Sequence, residues 1–174
     1  MKRLVQPVRR AVLICLAVVV GGGLAAYAVA APPNHANRLE ATFTEAAVSV
    51  TDRTADLGIF QVILTGSGTV EGFGPATEVT GVTQDRAVTP CGASSDSEAA
   101  TRRILIGGDT LALRSVGVKC PTPSGPVFTA TYEVDGLSST GIFAGASGSG
   151  TDTVDIINHR VTLSGTLKLA SDNS

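Results

Sequence analysis

The side chains with reactive potential in this chain are few, and their spacing excludes most chemistry before any fold is considered. Both histidines lie outside a catalytic context: His35 is in a Pro-containing segment, APPNHANR, and His159 follows Asn158 in a turn-like pair. With no Gly-x-Ser-x-Gly elbow and no histidine near a candidate serine, a nucleophilic triad is not supported. Asp152 and Asp155 are a carboxylate pair, but three positions apart on a strand they point to opposite faces and read as solvated edge charges rather than as a glycosidase pair. Metal ligation lacks a Cys-x-x-Cys or His-x-His pattern, so no metal or other cofactor is expected. Three residues remain as candidate ligand contacts: Tyr132, on the inward face of a strand, and Glu71 and Arg114, which interrupt apolar or small-residue strands. Each also has a plainer reading, Tyr132 as a core aromatic and the two charges as solvent-facing residues.

These residues need elements to hold them, and the elements read as β-strands. From Leu39 onward the pattern has period two, β-branched residues dominate, and no amphipathic stretch of helical length stands out. Nine runs are expected as strands: 41–51, 58–64, 69–73, 77–84, 103–106, 110–118, 127–134, 151–157 and 160–169. Turns are expected at Thr65-Gly66-Ser67-Gly68, Gly107-Gly108-Asp109, Asp135-Gly136 and Asn158-His159. Ala41 to Ala47 also contains helix formers, and strand is the reading kept. In the last run Val161, Leu163, Leu167 and Leu169 share a face; between Val127 and Val134 the inward set is Phe128, Ala130, Tyr132 and Val134. The stretch Gly136 to Thr151, with five glycines in sixteen residues, reads as a sharply bent β-edge without helix. The similar Gly66 to Thr69 and Gly148 to Thr151 segments read as shared turn chemistry.

Residues 1–30 read as a signal peptide. Lys2, Arg3, Arg9 and Arg10 precede an apolar run, and Ala28 and Ala30 place cleavage before Ala31. Ordinary secretion fits better than the twin-arginine route, and Ile14 before Cys15 argues against a lipoprotein. Residues 31–38 are then a linker, 39–170 one β-domain and 171–174 a tail. Cleavage removes four of the thirteen Lys and Arg while leaving all fifteen Asp and Glu, so the exported chain is acidic. Nucleic acid and anionic membrane surfaces are poor partners for it, Arg102-Arg103 being the largest basic cluster left. Cys91 and Cys120 are an even pair in an exported chain and are expected to form a disulfide.

The segment FTATYEVDGLSSTGIFAGASGSGT followed by VTLSGTL resembles the allene-oxide-cyclase-like and dirigent-like barrels. Thr140, Gly141, Phe143, Gly145, Ala146 and Gly148 match in order a segment of that superfamily, whereas Ser138 and Ser139 replace its first glycines. The similarity is greatest to small secreted bacterial proteins of unassigned function. It implies a single eight-stranded antiparallel barrel, with nine runs explained if one is not a strand or if one long strand has been counted twice. Two functions are compatible with it: a secreted binding or interaction barrel holding a small apolar ligand without turnover, or a cyclase or dirigent-like guide of a reactive apolar intermediate. The shortage of aromatic residues and the absence of tryptophan count against the second.

Overall fold

A computed structural model describes residues 38–54 and 58–173; the expected signal peptide and most of the linker, His35 included, lie outside the described residues. Eight strands follow one another around a closed, all-antiparallel barrel: β1 Leu39–Thr54, β2 Ile59–Val70, β3 Gly74–Asp85, β4 Asp96–Ile106, β5 Asp109–Thr122, β6 Gly125–Val134, β7 Ser149–Asp155 and β8 Arg160–Gly165. Each strand pairs with its neighbours in sequence, and β8 closes on β1 through pairs from Leu39↔Gly165 to Thr44↔Arg160. Closure leaves no unpaired sheet edge, which is how a meander of β-branched strands avoids edge-to-edge association. The segment 41–47 is strand, as expected, with a register shift between Ala47 and Ser49.

Three local expectations are corrected. Runs 58–64 and 69–73 are one strand, β2, and Gly66-Ser67-Gly68 lies in its middle. The glycines are there for space: a Cβ on Gly66 would lie 2.7 Å from Glu78 Oε1, and one on Gly68 would overlap Phe43 across the ladder. The turn falls instead at residues 71–73, so the Gly66 and Gly148 segments do not share turn chemistry. The polar stretch after Cys91 becomes strand from Asp96, not from Arg103, and its side chains alternate buried and exposed as far as Ile106. Finally, the glycine-rich stretch contains one 3-10 turn, Gly141–Phe143, which delivers Phe143 into the end of the barrel. Phe143 is fully buried there, 5.2 Å from the Phe73 ring, while its neighbour Ile142 stays exposed.

The barrel is filled asymmetrically. Leu39, Phe43, Val70, Ile104, Leu111, Leu113, Phe143, Leu163 and Leu167 pack the end beneath the glycine-rich loop into an apolar plug. Phe128, Ala130 and Tyr132 are buried as the β6 alternation requires, with Val134 half-buried. Toward the opposite end the inward positions turn polar, and that end is not filled.

Candidate functional site: a charged cluster under an apolar cavity

Period-two alternation carries charge into the barrel. On β4, Ile104 and Ile106 face inward; the same parity sends Arg102, Ala100, Glu98 and Asp96 inward too, while Arg103 faces solvent. On β3 the parity of Ala76 and Val82 brings in Glu78 and Thr80, and on β1 that of Ala41 and Phe43 brings in Glu45. Asp152 on β7 enters beside Val154. The solvated reading of Asp152 is therefore corrected, because it occupies an inward slot of a closed barrel, and of the Arg102-Arg103 pair only Arg103 is left at the surface.

Arg102 is the centre of the cluster, with 2% of its side chain exposed. Its Nη1 donates to Glu45 Oε1 at 2.7 Å and to Glu78 Oε2, and its Nη2 lies 3.4 Å from Asp152 Oδ2. Thr80 Oγ1 donates to Glu45 Oε1 at 3.0 Å, and Ser115 Oγ to Asp152 Oδ2 at 2.9 Å. Burial disfavours the guanidinium charge, yet Asp152, Glu78 and Glu45 more than offset it and hold Arg102 above its ordinary value. Glu78 responds the other way: burial, with repulsion from Glu45, outweighs Arg102 and pushes its carboxyl up to about 7. A second cluster sits nearer the mouth, where Lys119 Nζ contacts Asp96 Oδ2 at 2.5 Å and Glu98 Oε1 at 3.2 Å, and Gln84 Nε2 donates to Glu98 Oε1 at 2.8 Å. Burial and then Asp96 push Glu98 up to about 7 as well.

Above Arg102 lies a cavity of about 220 Å³. Its walls are Val62, Leu64, Val82, Phe128, Val154 and Ile156; Arg102, Glu45 and Thr80 stand at its inner end, and Glu98, Gln84 and His159 lie toward its rim. Strand register sets this order, since Glu98, Ala100 and Arg102 are successive inward residues of β4 and pair with Gln84, Val82 and Thr80 of β3. Mostly apolar walls with a few convergent polar groups are the usual form of a small-molecule site. Among the described residues no set of three His, Cys, Asp or Glu is placed to hold a metal ion.

The disulfide forms as expected: Cys91, in the β3–β4 loop, is bonded to Cys120 on β5, with Cα atoms 5.6 Å apart. It ties the 86–95 loop to the barrel beside the Lys119 cluster.

The three candidate ligand contacts are dispersed. Tyr132 is inward and fully buried, two inward positions deeper on β6 than the cavity wall residue Phe128. A Cβ on Gly150 or Gly165 would lie 2.6 Å from its hydroxyl, so those glycines make the room it occupies, and the hydroxyl finds no hydrogen-bond partner among the described residues. Burial, then Glu40 and Asp152, push that phenol up to about 12. Glu71 is exposed in the β2–β3 turn, with its backbone N–H donating to Glu40 O. Arg114 faces solvent on β5 and donates from Nε and Nη2 to Asp135 Oδ2 at 2.9 and 2.6 Å. The residues that do converge, Arg102, Glu45, Glu78 and Glu98, carried one legible signal: each lies on the same parity as an apolar inward neighbour.

No protein-family model matches this chain, and neither a curated protein nor a solved structure does.

Proposed function

We propose that this chain is an exported β-barrel binding protein that holds one small, largely apolar ligand in the cavity above Arg102, without turnover. The observation that carries the reading is the cavity itself, an apolar space that ends on a hydrogen-bonded charged cluster inside an otherwise filled barrel. Such a space rewards burial of hydrocarbon at about 25 cal/mol per Å² and leaves only the ligand's head to be matched by polar groups. Export rests on the basic and apolar N-terminal residues with the Ala28 and Ala30 pair, and the Cys91–Cys120 disulfide is at home in an oxidising compartment.

A second reading is the one that the resemblance to allene-oxide-cyclase-like and dirigent-like barrels implies, a guide for a reactive apolar intermediate. It is favoured by Glu98, a cavity-lining carboxyl whose affinity for a proton is matched to neutral pH. Native mass spectrometry of the protein recovered from its host's medium, repeated under denaturing conditions, tests the binding role. A small molecule lost on denaturation is the expected result. Recovery of bare chains, with no uptake of any apolar compound from a panel, contradicts it.

A further inference from the structure

Buried carboxylates outnumber buried cations around the cavity. Five carboxylates are buried in the barrel: Glu45 on β1 and Glu98 on β4 line the cavity, while Glu78 on β3, Asp96 on β4 and Asp152 on β7 stand behind it in contact with Arg102 or Lys119. The cations set among them in the described residues are Arg102 and Lys119. The buried atoms without a hydrogen-bond partner among the described residues are of both kinds, the acceptors Glu78 Oε1 and Asp96 Oδ1 and the donors Arg102 Nε and the Tyr132 hydroxyl, so the imbalance is one of charge rather than of donors. Apolar walls do not screen this excess of negative charge, so its potential extends into the cavity.

Three kinds of ligand head meet that potential differently. An anion adds like charge in a low-dielectric space. An uncharged head gains little from it. A head that brings positive charge offsets the excess.

Resting on the binding role proposed above, we propose that the cavity takes an amphipathic amine, its hydrocarbon body against Val62, Leu64, Val82 and Phe128 and its protonated amino group donating to Glu98 toward the rim. Glu98 and Glu45 are the carboxylates on the cavity wall itself, and Glu45 is already engaged by Arg102 and Thr80 at the inner end. Selection by charge then separates this site from one that would take a fatty-acid anion.

The site's charge varies with pH near neutrality. Glu98 and Glu78 both lose their protons around pH 7, where an aliphatic amine remains protonated. The other groups facing the site are Arg102 and Asp96 on β4, Lys119 on β5, Tyr132 on β6, Asp152 on β7 and, at the rim, His159. Tyr132, pushed up to about 12, stays neutral throughout. Amine binding therefore tightens as pH rises from 6 to 8.

Isothermal titration of the intact protein with n-octylamine, n-octanol and n-octanoate at pH 6 and pH 8, at low ionic strength, tests this. One octylamine per chain is expected, bound roughly tenfold or more tightly than either other compound at pH 8. Its own affinity should rise roughly threefold or more between pH 6 and pH 8. Octanol or octanoate binding as tightly as octylamine overturns the amine assignment while leaving the cavity as a ligand site; no binding by any of the three overturns both. Glu98→Gln should weaken octylamine and flatten its pH response without changing octanol binding. Val82→Phe, which fills the cavity, should abolish both, with circular dichroism confirming that each variant retains its β-structure. Unchanged octylamine binding in folded Glu98→Gln, or in folded Val82→Phe, also overturns the proposal.

Discussion

Arg102 Nη1 and Glu45 Oε1 meet at 2.7 Å inside the barrel, although 57 residues separate them and their strands, β4 and β1, share no ladder. The contact spans the interior, whereas the sheet's hydrogen bonds run around it. The same Arg102 also reaches β3 and β7 through Glu78 and Asp152. Four strands thus meet on one guanidinium.

Removing that guanidinium leaves three carboxylates buried without their shared cation. Arg102→Leu is expected to destabilise the protein by about 3–5 kcal/mol at pH 7. The loss should shrink as pH falls and the carboxyls become protonated. Urea unfolding of both proteins at pH 5 and pH 7 measures it, and an equal loss at the two pH values contradicts the account.

Stability itself should fall from mildly acidic to mildly alkaline pH. Glu78 and Glu98 hold their protons more tightly in the fold, at about 7, than an ordinary glutamate does at 4.5. A raised carboxyl contributes stability that is complete below the unfolded value and is lost as pH rises through the folded one. The opposite sign applies to Glu40, Asp135 and Asp155, which are lowered chiefly by hydrogen bonds from Ser164, Ser138 and Asn158 respectively, so their contribution is lost in more acidic solution. Greatest stability is expected at about pH 4.5–5.5. Denaturant midpoints from pH 3 to pH 9 test this, and Glu78→Gln should flatten the limb above pH 5.

Tyr132→Phe removes a buried hydroxyl that has no partner among the described residues. Deleting such a group spares a desolvation cost, so the substitution should be neutral or stabilising by up to about 1 kcal/mol. Thermal unfolding would show it, and a clear fall in Tm would mean that the hydroxyl has a partner in solution.

Glycines within the strands differ in what they can tolerate. A Cβ on Gly150 would meet both the Ser164 carbonyl and the Tyr132 hydroxyl, whereas one on Gly81 would come no closer than 3.5 Å to Thr101 Oγ1. Gly150→Ala should cost about 1–3 kcal/mol or more through overpacking, and Gly81→Ala should be neutral or slightly stabilising. Comparable midpoints for the two variants would contradict the close-approach argument.

Reduction of Cys91–Cys120 reopens a loop spanning 29 positions. Chain entropy assigns such a closure about 3.5 kcal/mol. The Cys91→Ser, Cys120→Ser double variant should unfold at correspondingly lower denaturant concentration. Thiol labelling of unfolded, unreduced protein lacking residues 1–30 should find Cys91 and Cys120 both blocked.

The sequence by itself determined that this is an all-β chain, which residues of β6 and β8 face the core, and which two cysteines are joined, because these depend on local alternation, turn-forming residues and a simple count. Phe128, Ala130, Tyr132, Val161 and Leu163 are inward on either view. Only the tertiary structure decided that Gly66 and Gly68 sit within a strand, since their reason is the bulk of Glu78 and Phe43 across the ladders. Closure of the barrel likewise decided the fate of Arg102, Glu45, Glu78 and Asp152. On an open sheet an inward parity could still face water, but in a closed barrel it has no face but the interior. Charges scattered between residues 45 and 152 become one buried cluster because β1, β3, β4 and β7 curve around a common axis, and no spacing along the chain carries that curvature.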